Sequence, residues 1–216
     1  MTAPKLNRSI WSIPMPDRIK CLPIAATGLP VPWFLHWQDR KPDFRAIGPA
    51  KMTMAVEGSL CWSFGQSLGI HKAFLIGPMC AVNRCISEPP SHLECADYAA
   101  RACPFLTTPN AKRVAKDLPE ERVTPAGAIM RTPGPVGVWI TKTLKAFRRY
   151  DGSVLFRLGE PERVHWFAEG RPATRAEVDR SIETGLPFLI GEAKRRGVDP
   201  AETLQELARV QHLLQA

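Results

Sequence analysis

Proline restricts the fold of this chain more than any other residue type. Among 216 residues there are 21 prolines, about twice the usual share of about 5%. Most of them fall in residues 14–49 and 78–135. Because proline lacks a backbone N–H and fixes φ, helix interiors and central strands exclude it. The sequence therefore predicts a loop-rich fold built from short helices and strands.

The spacing of apolar residues predicts an α+β protein, in which short antiparallel strands and hairpins surround a central helix. One hairpin is expected over 33–47, and a second should pair Ser153–Leu158 with Arg163–Phe167 across Gly159. Residues 141–150 fit the period of a strand and that of a helix, so both assignments stay open. Further strands are expected at Leu60–Phe64, Ala73–Ile76 and Val136–Ile140.

Helices are predicted where capping residues and glycines mark their ends. A short helix over 50–57 should end at Gly58. Two capping boxes, Ser91-His-Leu-Glu94 and Thr174-Arg-Ala-Glu177, should open the central helix and a C-terminal helical segment. We expect the central helix to run to about Cys103, and a final helix to begin at Asp199-Pro200. The leucines expected to point inward from that last segment are Leu204, Leu207, Leu213 and Leu214.

The length of the chain fits one core with appendages. We divide it into an extended N-terminal arm (1–30), an α+β core (31–168) and a C-terminal helical segment packed on the core (169–216). The core contains a segment rich in cysteine and histidine (60–106). The first 20 residues lack the apolar stretch of a signal peptide, and the longest apolar run, Ala73–Val82, is too short to span a membrane. We therefore expect a cytoplasmic protein with no membrane partner, whose cysteines stay as thiols or metal ligands.

The cysteine-rich segment carries the strongest sign of chemistry. Five of the 6 cysteines lie between Cys61 and Cys103. His92 and Cys95 have i, i+3 spacing in the first turn of the predicted central helix, so their side chains point the same way. A helix N-terminus favours the thiolate, which is the form of cysteine that binds metal. The pattern suggests a tetrahedral zinc site with further ligands from an earlier turn.

The cysteine-rich segment contains a series of distinctive blocks: Leu60-Cys61-Trp62, Ile76–Arg84 (IGPMCAVNR), Glu88–His92 (EPPSH), Cys95-Ala96 and Ala102–Leu106 (ACPFL). It is flanked by Val31-Pro-Trp-Phe34 and by the stretch from Glu169 to Glu177. With these residues the chain resembles a family of uncharacterised bacterial proteins, and the resemblance extends over about residues 16–215.

The resemblance implies a treble-clef zinc site, because relatives carry a Cys-x-x-Cys turn where this chain has Cys61-Trp-Ser-Phe64. Phe64 cannot coordinate a metal, so a four-ligand site would use Cys61, Cys80, His92 and Cys95, or Cys85 in place of Cys80. In the alternative interpretation no metal binds, and the thiols are small buried hydrophobic groups. A zinc ion here would be structural, since no nearby residue is suited to activate water.

Two enzymatic interpretations stay open as alternatives. Gly65-Gln-Ser67-Leu-Gly69 matches the pattern of a nucleophile elbow, although the residues that follow are too few and too β-like for the required helix. Cys80 or Cys95 with His92 could form a nucleophile and base, although no residue stands out to orient the histidine.

A basic stretch follows the cysteine-rich segment. Residues 111–150 contain nine basic and three acidic residues, with Trp139, Phe147 and Tyr150 interleaved. Cations neutralise phosphates and aromatic rings stack on unpaired bases. We therefore expect a non-enzymatic binding protein that contacts nucleic acid or an acidic protein; a small enzyme with a Cys or Ser nucleophile and a metal-free interaction module are the alternatives. The candidate contact residues are Lys112, Arg113, Lys116, Arg131, Lys142, Lys145, Arg148 and Arg149.

Overall fold

The α+β class is confirmed in a computed structural model that describes residues 5–113, 116, 118–120, 132, 134–150, 152–195, 197 and 199–214. The helices are α1 (Asp17–Lys20), α2 (Lys51–Glu57), α3 (Pro78–Asn83), α4 (Leu93–Ala102), α5 (Pro104–Thr107), α6 (Arg175–Arg195) and α7 (Pro200–Val210), with 3₁₀ turns at Arg8–Ile10 and Gln211–Leu214. The strands are β1 (Leu35–Gln38), β2 (Lys41–Ile47), β3 (Lys72–Ile76), β4 (Cys85–Ile86), β5 (Val136–Thr141), β6 (Leu144–Arg148), β7 (Val154–Leu158), β8 (Arg163–Ala168) and β9 (Arg171–Pro172).

The strands form three antiparallel sheets, and the largest organises the core. Its strand order is β3-β5-β8-β9, and all six residues of the inner strand β5 are buried. The second sheet has the order β4-β7-β6, and β1 pairs with β2 in a separate hairpin. A strand that is apolar on both faces needs a layer on each side of its sheet.

Both faces of the largest sheet are covered. On one face, the small residues Ala96 and Ala100 bring α4 close to Val138 and Ile140. The other face carries a larger cluster, in which Trp139 packs with buried residues of the second sheet and of the C-terminal helices. α4 therefore lies in the interior, as expected of the central helix.

α4 has a second buried face, which positions the candidate site. Cys95 and Tyr98 pack against Ile10 and Ile19 of the N-terminal arm. Helical residues at i and i+3 lie on one face, so Cys95 and Tyr98 face the arm together. Ala96 and Ala100 contact the sheet, and α4 therefore lies between the sheet and the arm. Its first turn is therefore enclosed by other parts of the protein.

The strand predictions are confirmed in part. The first hairpin forms as β1–β2, residues 141–150 contain the strand β6, and the strands at 73–76 and 136–140 are present. The predicted hairpin of Ser153–Leu158 with Arg163–Phe167 is wrong, because β7 pairs with β4 and β6 whereas β8 pairs with β5 and β9. The predicted strand at Leu60–Phe64 is also wrong: a tight turn is found there, closed by a bridge between Leu60 and Ser67.

The predicted central helix forms over Leu93–Ala102, but its capping box does not. His92 is the N-cap residue and makes no side-chain capping bond. The Ser91 hydroxyl instead accepts a hydrogen bond from the backbone N–H of Ser63, and Glu94 pairs with Arg18. Tertiary contacts therefore engage both side chains that the local motif would have used.

The C-terminal helices follow the predictions more closely. The box at Thr174 and Glu177 forms, and the Asp199 side chain caps α7 by accepting from the N–H of Ala201. Leu214 is buried, but Leu204 is 49% exposed, so its inward orientation was predicted wrongly. Within the described residues, no helix combines the length and the apolarity needed to cross a membrane.

Glu177→Gln should weaken the start of α6 in a pH-dependent way. Arg171 hydrogen-bonds to the Glu177 carboxylate and lowers its pKa to about 2, with a further contribution from the Thr174 backbone N–H. Because the pKa is lower in the folded state, the ionised carboxylate stabilises the fold fully at pH values above its ordinary pKa of 4.5. This contribution is lost as the pH falls towards 2. We expect the free energy of unfolding to drop by about 1 kcal/mol at pH 7.

Urea unfolding at pH 7 and at about pH 3 measures this effect. The matched control is Glu183→Gln, which changes an exposed glutamate of the same helix that forms no ion pair with a described residue. A Glu177→Gln deficit of the same size at both pH values would contradict the assignment to the carboxylate.

Candidate metal centre and basic surface

A tight turn at residues 61–66, here called the Cys61 turn, holds the first thiol. The backbone N–H of Cys61 donates to the carbonyl of Gln66 at 2.7 Å, and the N–H of Gly65 donates to the carbonyl of Cys61 at 2.7 Å. Gly65 has φ +82°, a conformation that glycine adopts without strain. The local sequence therefore fixes the direction in which the Cys61 side chain leaves the backbone.

Residues 90–92 connect this turn to the largest sheet. The N–H of Trp62 donates to the carbonyl of Pro90 at 3.0 Å. Ser91 exchanges two backbone hydrogen bonds with Ala73 of β3, at 2.8 and 3.0 Å. The next residue, His92, donates its backbone N–H to the Cys61 sulfur at 3.3 Å. The turn, the sheet edge and the start of α4 are therefore held together by backbone hydrogen bonds.

Three side chains converge at this junction. The ligand atoms of Cys61, His92 and Cys95 all lie within 4.8 Å of one another. The two cysteines are 0% exposed and His92 is 8% exposed. In a tetrahedral zinc site Zn–S is about 2.3 Å and Zn–N about 2.0 Å, so neighbouring ligand atoms lie somewhat less than about 4 Å apart. Small side-chain shifts would bring the three ligand atoms to such separations. This buried group could hold a metal ion.

The imidazole of His92 is oriented as in a metal ligand. Its Nε2 lies 3.0 Å from the carbonyl oxygen of Ser67. A carbonyl can only accept, so Nε2 carries a proton, and in the neutral imidazole Nδ1 then has the lone pair. Nδ1 is buried and has no hydrogen-bond partner. Metal-bound histidines commonly donate their other N–H to a backbone carbonyl in this manner.

The two thiols share a hydrogen bond that favours ionisation of one of them. The pKa of Cys61 is lowered to about 5, because the Cys95 thiol hydrogen-bonds to its sulfur and because the backbone N–H groups of His92 and Phe64 also do so. The pKa of Cys95 is raised, since its proton is held by the Cys61 sulfur and its side chain is buried. Backbone donors of this kind stabilise a negatively charged sulfur, which is the form that binds metal.

The N-terminal arm and α4 enclose the group. Ile10, Ile19 and Tyr98 belong to the same buried cluster as the two cysteines, and the half-buried Phe64 packs against it. Neither sulfur has an exposed surface through which a substrate could approach. The arrangement is suited to a closed site with protein ligands.

The structure does not bring Cys80 to this group. Cys80 lies on α3 and packs against the cluster around Trp139, where burial raises the pKa of its thiol to about 11. Cys85, considered as its substitute, lies on β4 and pairs with Arg157 of β7. Phe64 fills the position at which the resemblance implies a second cysteine in relatives.

The nucleophile-elbow pattern does not have the geometry of an elbow. Ser67 is exposed, and residues 68–71 form no helix before β3 begins. Its carbonyl is engaged by His92. Of the two cysteines considered as nucleophiles, Cys95 lies inside the closed group with His92, and Cys80 lies outside it.

The predicted basic residues are distributed over three segments. Lys112, Arg113 and Lys116 follow α5, and Arg113 stacks on Phe105 and pairs with Glu88 at 3.4 Å. Lys142 lies between β5 and β6 and pairs with Glu162 at 2.5 Å. The residues on or beside the edge strand β6 are Lys145, Arg148 and Arg149, and Arg131 lies outside the described residues.

Sequence reasoning missed two residues that complete these features. The Ser67 carbonyl, which orients His92, carries no sequence signal because any residue provides a backbone carbonyl. Arg157 lies directly opposite Lys145 in the β6–β7 pair, and the incorrect pairing of β7 with β8 concealed it. Comparison with protein-family models, with curated proteins and with solved structures finds no match to this chain.

Proposed function

We propose that this protein is a non-enzymatic binding protein that contacts nucleic acid through its basic surface, and that Cys61, His92 and Cys95 hold a structural Zn²⁺. One observation carries the proposal: the clustered thiol and imidazole groups are buried, whereas Lys112, Lys116 and Lys145, which form no ion pair with a described residue, are exposed. Chemistry on a substrate would need reactive groups at an accessible surface. Binding needs only the cations to be accessible.

The donor set supports zinc. Two sulfurs and one imidazole nitrogen are typical ligands of Zn²⁺, whereas Mg²⁺ and Ca²⁺ prefer oxygen. The unpartnered Nδ1 of His92 supports a bound metal over the metal-free alternative, since a buried acceptor without a partner destabilises the fold. The backbone N–H groups that reach Cys61 would serve as the outer shell of the site.

A structural role follows from where the three ligands lie in the chain. Cys61 belongs to a turn, while His92 and Cys95 belong to the start of α4. A metal would therefore cross-link two segments about thirty residues apart in sequence, beneath the N-terminal arm. Structural zinc sites contribute directly to the free energy of folding.

The charge distribution supports a polyanionic partner. The chain has a formal net charge of +8. Lys112, Lys116 and Lys145 are exposed, and none of them forms an ion pair with a described residue. Cations of this kind attract phosphates over several ångströms and speed up association.

Binding to a short labelled DNA at increasing salt tests the proposal. Each phosphate that is neutralised lowers log K by about 0.7 to 0.9 per unit of log[salt], so contact with about three phosphates should give a slope of about −2 to −3 between about 50 and 200 mM salt. Absence of binding at the lowest salt would contradict the nucleic-acid proposal. Binding to polyglutamate but not to DNA would favour the acidic-protein alternative.

A further inference from the structure

The outward face of the second sheet combines cations with apolar side chains. Across β6 and β7, Lys145 pairs with Arg157 and Phe147 pairs with Leu155. Successive residues of a strand point to opposite faces, so these four side chains share one face. We call Lys145, Phe147, Leu155 and Arg157 the outer face. The opposite face contains Phe156, which is buried in the core.

The outer face is open to solvent in the described part of the chain. Lys145 and Arg157 are exposed, Phe147 is 37% exposed and Leu155 is partly buried. At the adjoining turn, Tyr150 is 97% exposed, with the Arg149 guanidinium 5.6 Å from its ring centroid. The outer face and the adjoining turn together therefore present two aromatic rings beside three cations.

The pairing of Lys145 with Arg157 is unfavourable for the protein alone. Like charges directly opposite each other on neighbouring strands, about 4.8 Å apart, repel and destabilise the sheet. Neither residue forms an ion pair with a described residue. A bound anion would neutralise both charges at once.

The aromatic rings narrow the choice of anion. Bases in a single strand offer exposed π faces, on which Phe and Tyr stack without regard to sequence. A duplex hides those faces inside the base stack, and the carboxylates of an acidic peptide have no aromatic face on which a ring could stack. Lys145 is followed on the outer face by Phe147, and Tyr150 lies just beyond the end of β6, so cation and rings are spaced along the chain as phosphates and bases are along a single strand.

We propose that the outer face, together with Tyr150, binds single-stranded nucleic acid without sequence preference. Lys145 and Arg157 contact phosphates, while Phe147 and Tyr150 stack on unpaired bases. This inference rests on the proposed nucleic-acid binding and assigns it to one face and one form of nucleic acid.

Competition between labelled oligo-thymidine and a duplex of equal length, at about 50 mM salt, tests the inference. Wild type should bind the single strand at least about tenfold more tightly. The double variant Phe147→Leu/Tyr150→Leu should lose about tenfold or more in affinity for the single strand, and less than about twofold for the duplex. The matched control is Phe188→Leu/Phe44→Leu, which changes two exposed aromatic residues elsewhere on the surface.

A charge variant provides a second test. Lys145→Gln/Arg157→Gln should weaken binding of both nucleic acids about tenfold or more, compared with Arg40→Gln/Lys41→Gln, which removes two cations from the β1–β2 hairpin. Equal losses in these two variants, or equal affinity for single strand and duplex, would overturn the outer-face inference and leave polyanion binding intact. Absence of binding to either nucleic acid would overturn both proposals.

Discussion

Phe64→Cys is expected to raise the affinity of this protein for Zn²⁺ by at least about a hundredfold. Loss of an outer-shell partner alone typically costs 10- to 100-fold in metal affinity, and a direct thiolate ligand contributes more. The backbone of the Cys61 turn already suits a second ligand, since the N–H of Phe64 reaches the Cys61 sulfur and the Phe64 side chain packs against the cluster that contains Cys61 and Cys95. The substitution would complete a four-ligand set.

The same substitution should change stability in opposite directions with and without metal. In the presence of a chelator, loss of the half-buried Phe64 ring should lower the free energy of unfolding by about 1–2 kcal/mol. With zinc bound, the additional ligand should outweigh that loss, because metal binding contributes to folding. We therefore expect the melting temperature of Phe64→Cys to lie below that of wild type in chelator and above it with zinc.

Metal content and chelator competition measure the effect. Wild type should contain one zinc per chain, and Cys95→Ala should contain none, whereas Cys80→Ala, which changes a thiol outside the group, should retain it. If wild type contains no zinc and the zinc affinity of Phe64→Cys is no higher, the three side chains are a buried polar cluster and not a metal site. Retention of zinc by Cys95→Ala would place the metal elsewhere.

Local patterns in the sequence were sufficient for the parts of the fold that local forces determine. The end of the helix that carries Cys95 could be predicted because Pro104, which follows Cys103, is a local signal. The same is true of the Thr174 capping box, in which both partners lie within one turn. The Ser91 box failed because the Ser91 hydroxyl is engaged by Ser63, which is distant in sequence.

Strand pairing and the identity of the ligands depend on long-range contacts. β7 and β8 have similar apolar patterns, and no local rule decides that one joins β6 and the other β5. Cys80 and Cys61 are equally plausible ligands by residue type. Their separation arises because α3 directs Cys80 towards the cluster around Trp139. Sequence spacing could therefore predict the His92–Cys95 pair but not every residue that would join it.

Gly65→Ala should be the most damaging small substitution in the Cys61 turn. Gly65 has φ +82°, and a Cβ added there would lie 2.4 Å from the ring of Trp33. Trp33 cannot withdraw easily, because its backbone N–H donates to the carbonyl of Ser63 at 2.8 Å and the Lys51 ammonium lies 4.0 Å from its ring centroid. Left-handed strain costs about 1–2 kcal/mol for a residue with a Cβ, and overpacking costs about 1–3 kcal/mol more.

We therefore expect Gly65→Ala to lower the free energy of unfolding by about 2–5 kcal/mol and to weaken zinc binding about tenfold or more, since the turn that aims Cys61 must shift. Gly69→Ala is the matched control: Gly69 lies three residues beyond the turn, and its added Cβ would meet nothing within 4 Å. That control should change stability by less than about 0.5 kcal/mol. Urea unfolding with zinc and with a chelator separates the two effects. Equal behaviour of the two alanine variants would mean that the backbone of the Cys61 turn adapts freely, and the close contact with Trp33 would then not be what positions the first thiol.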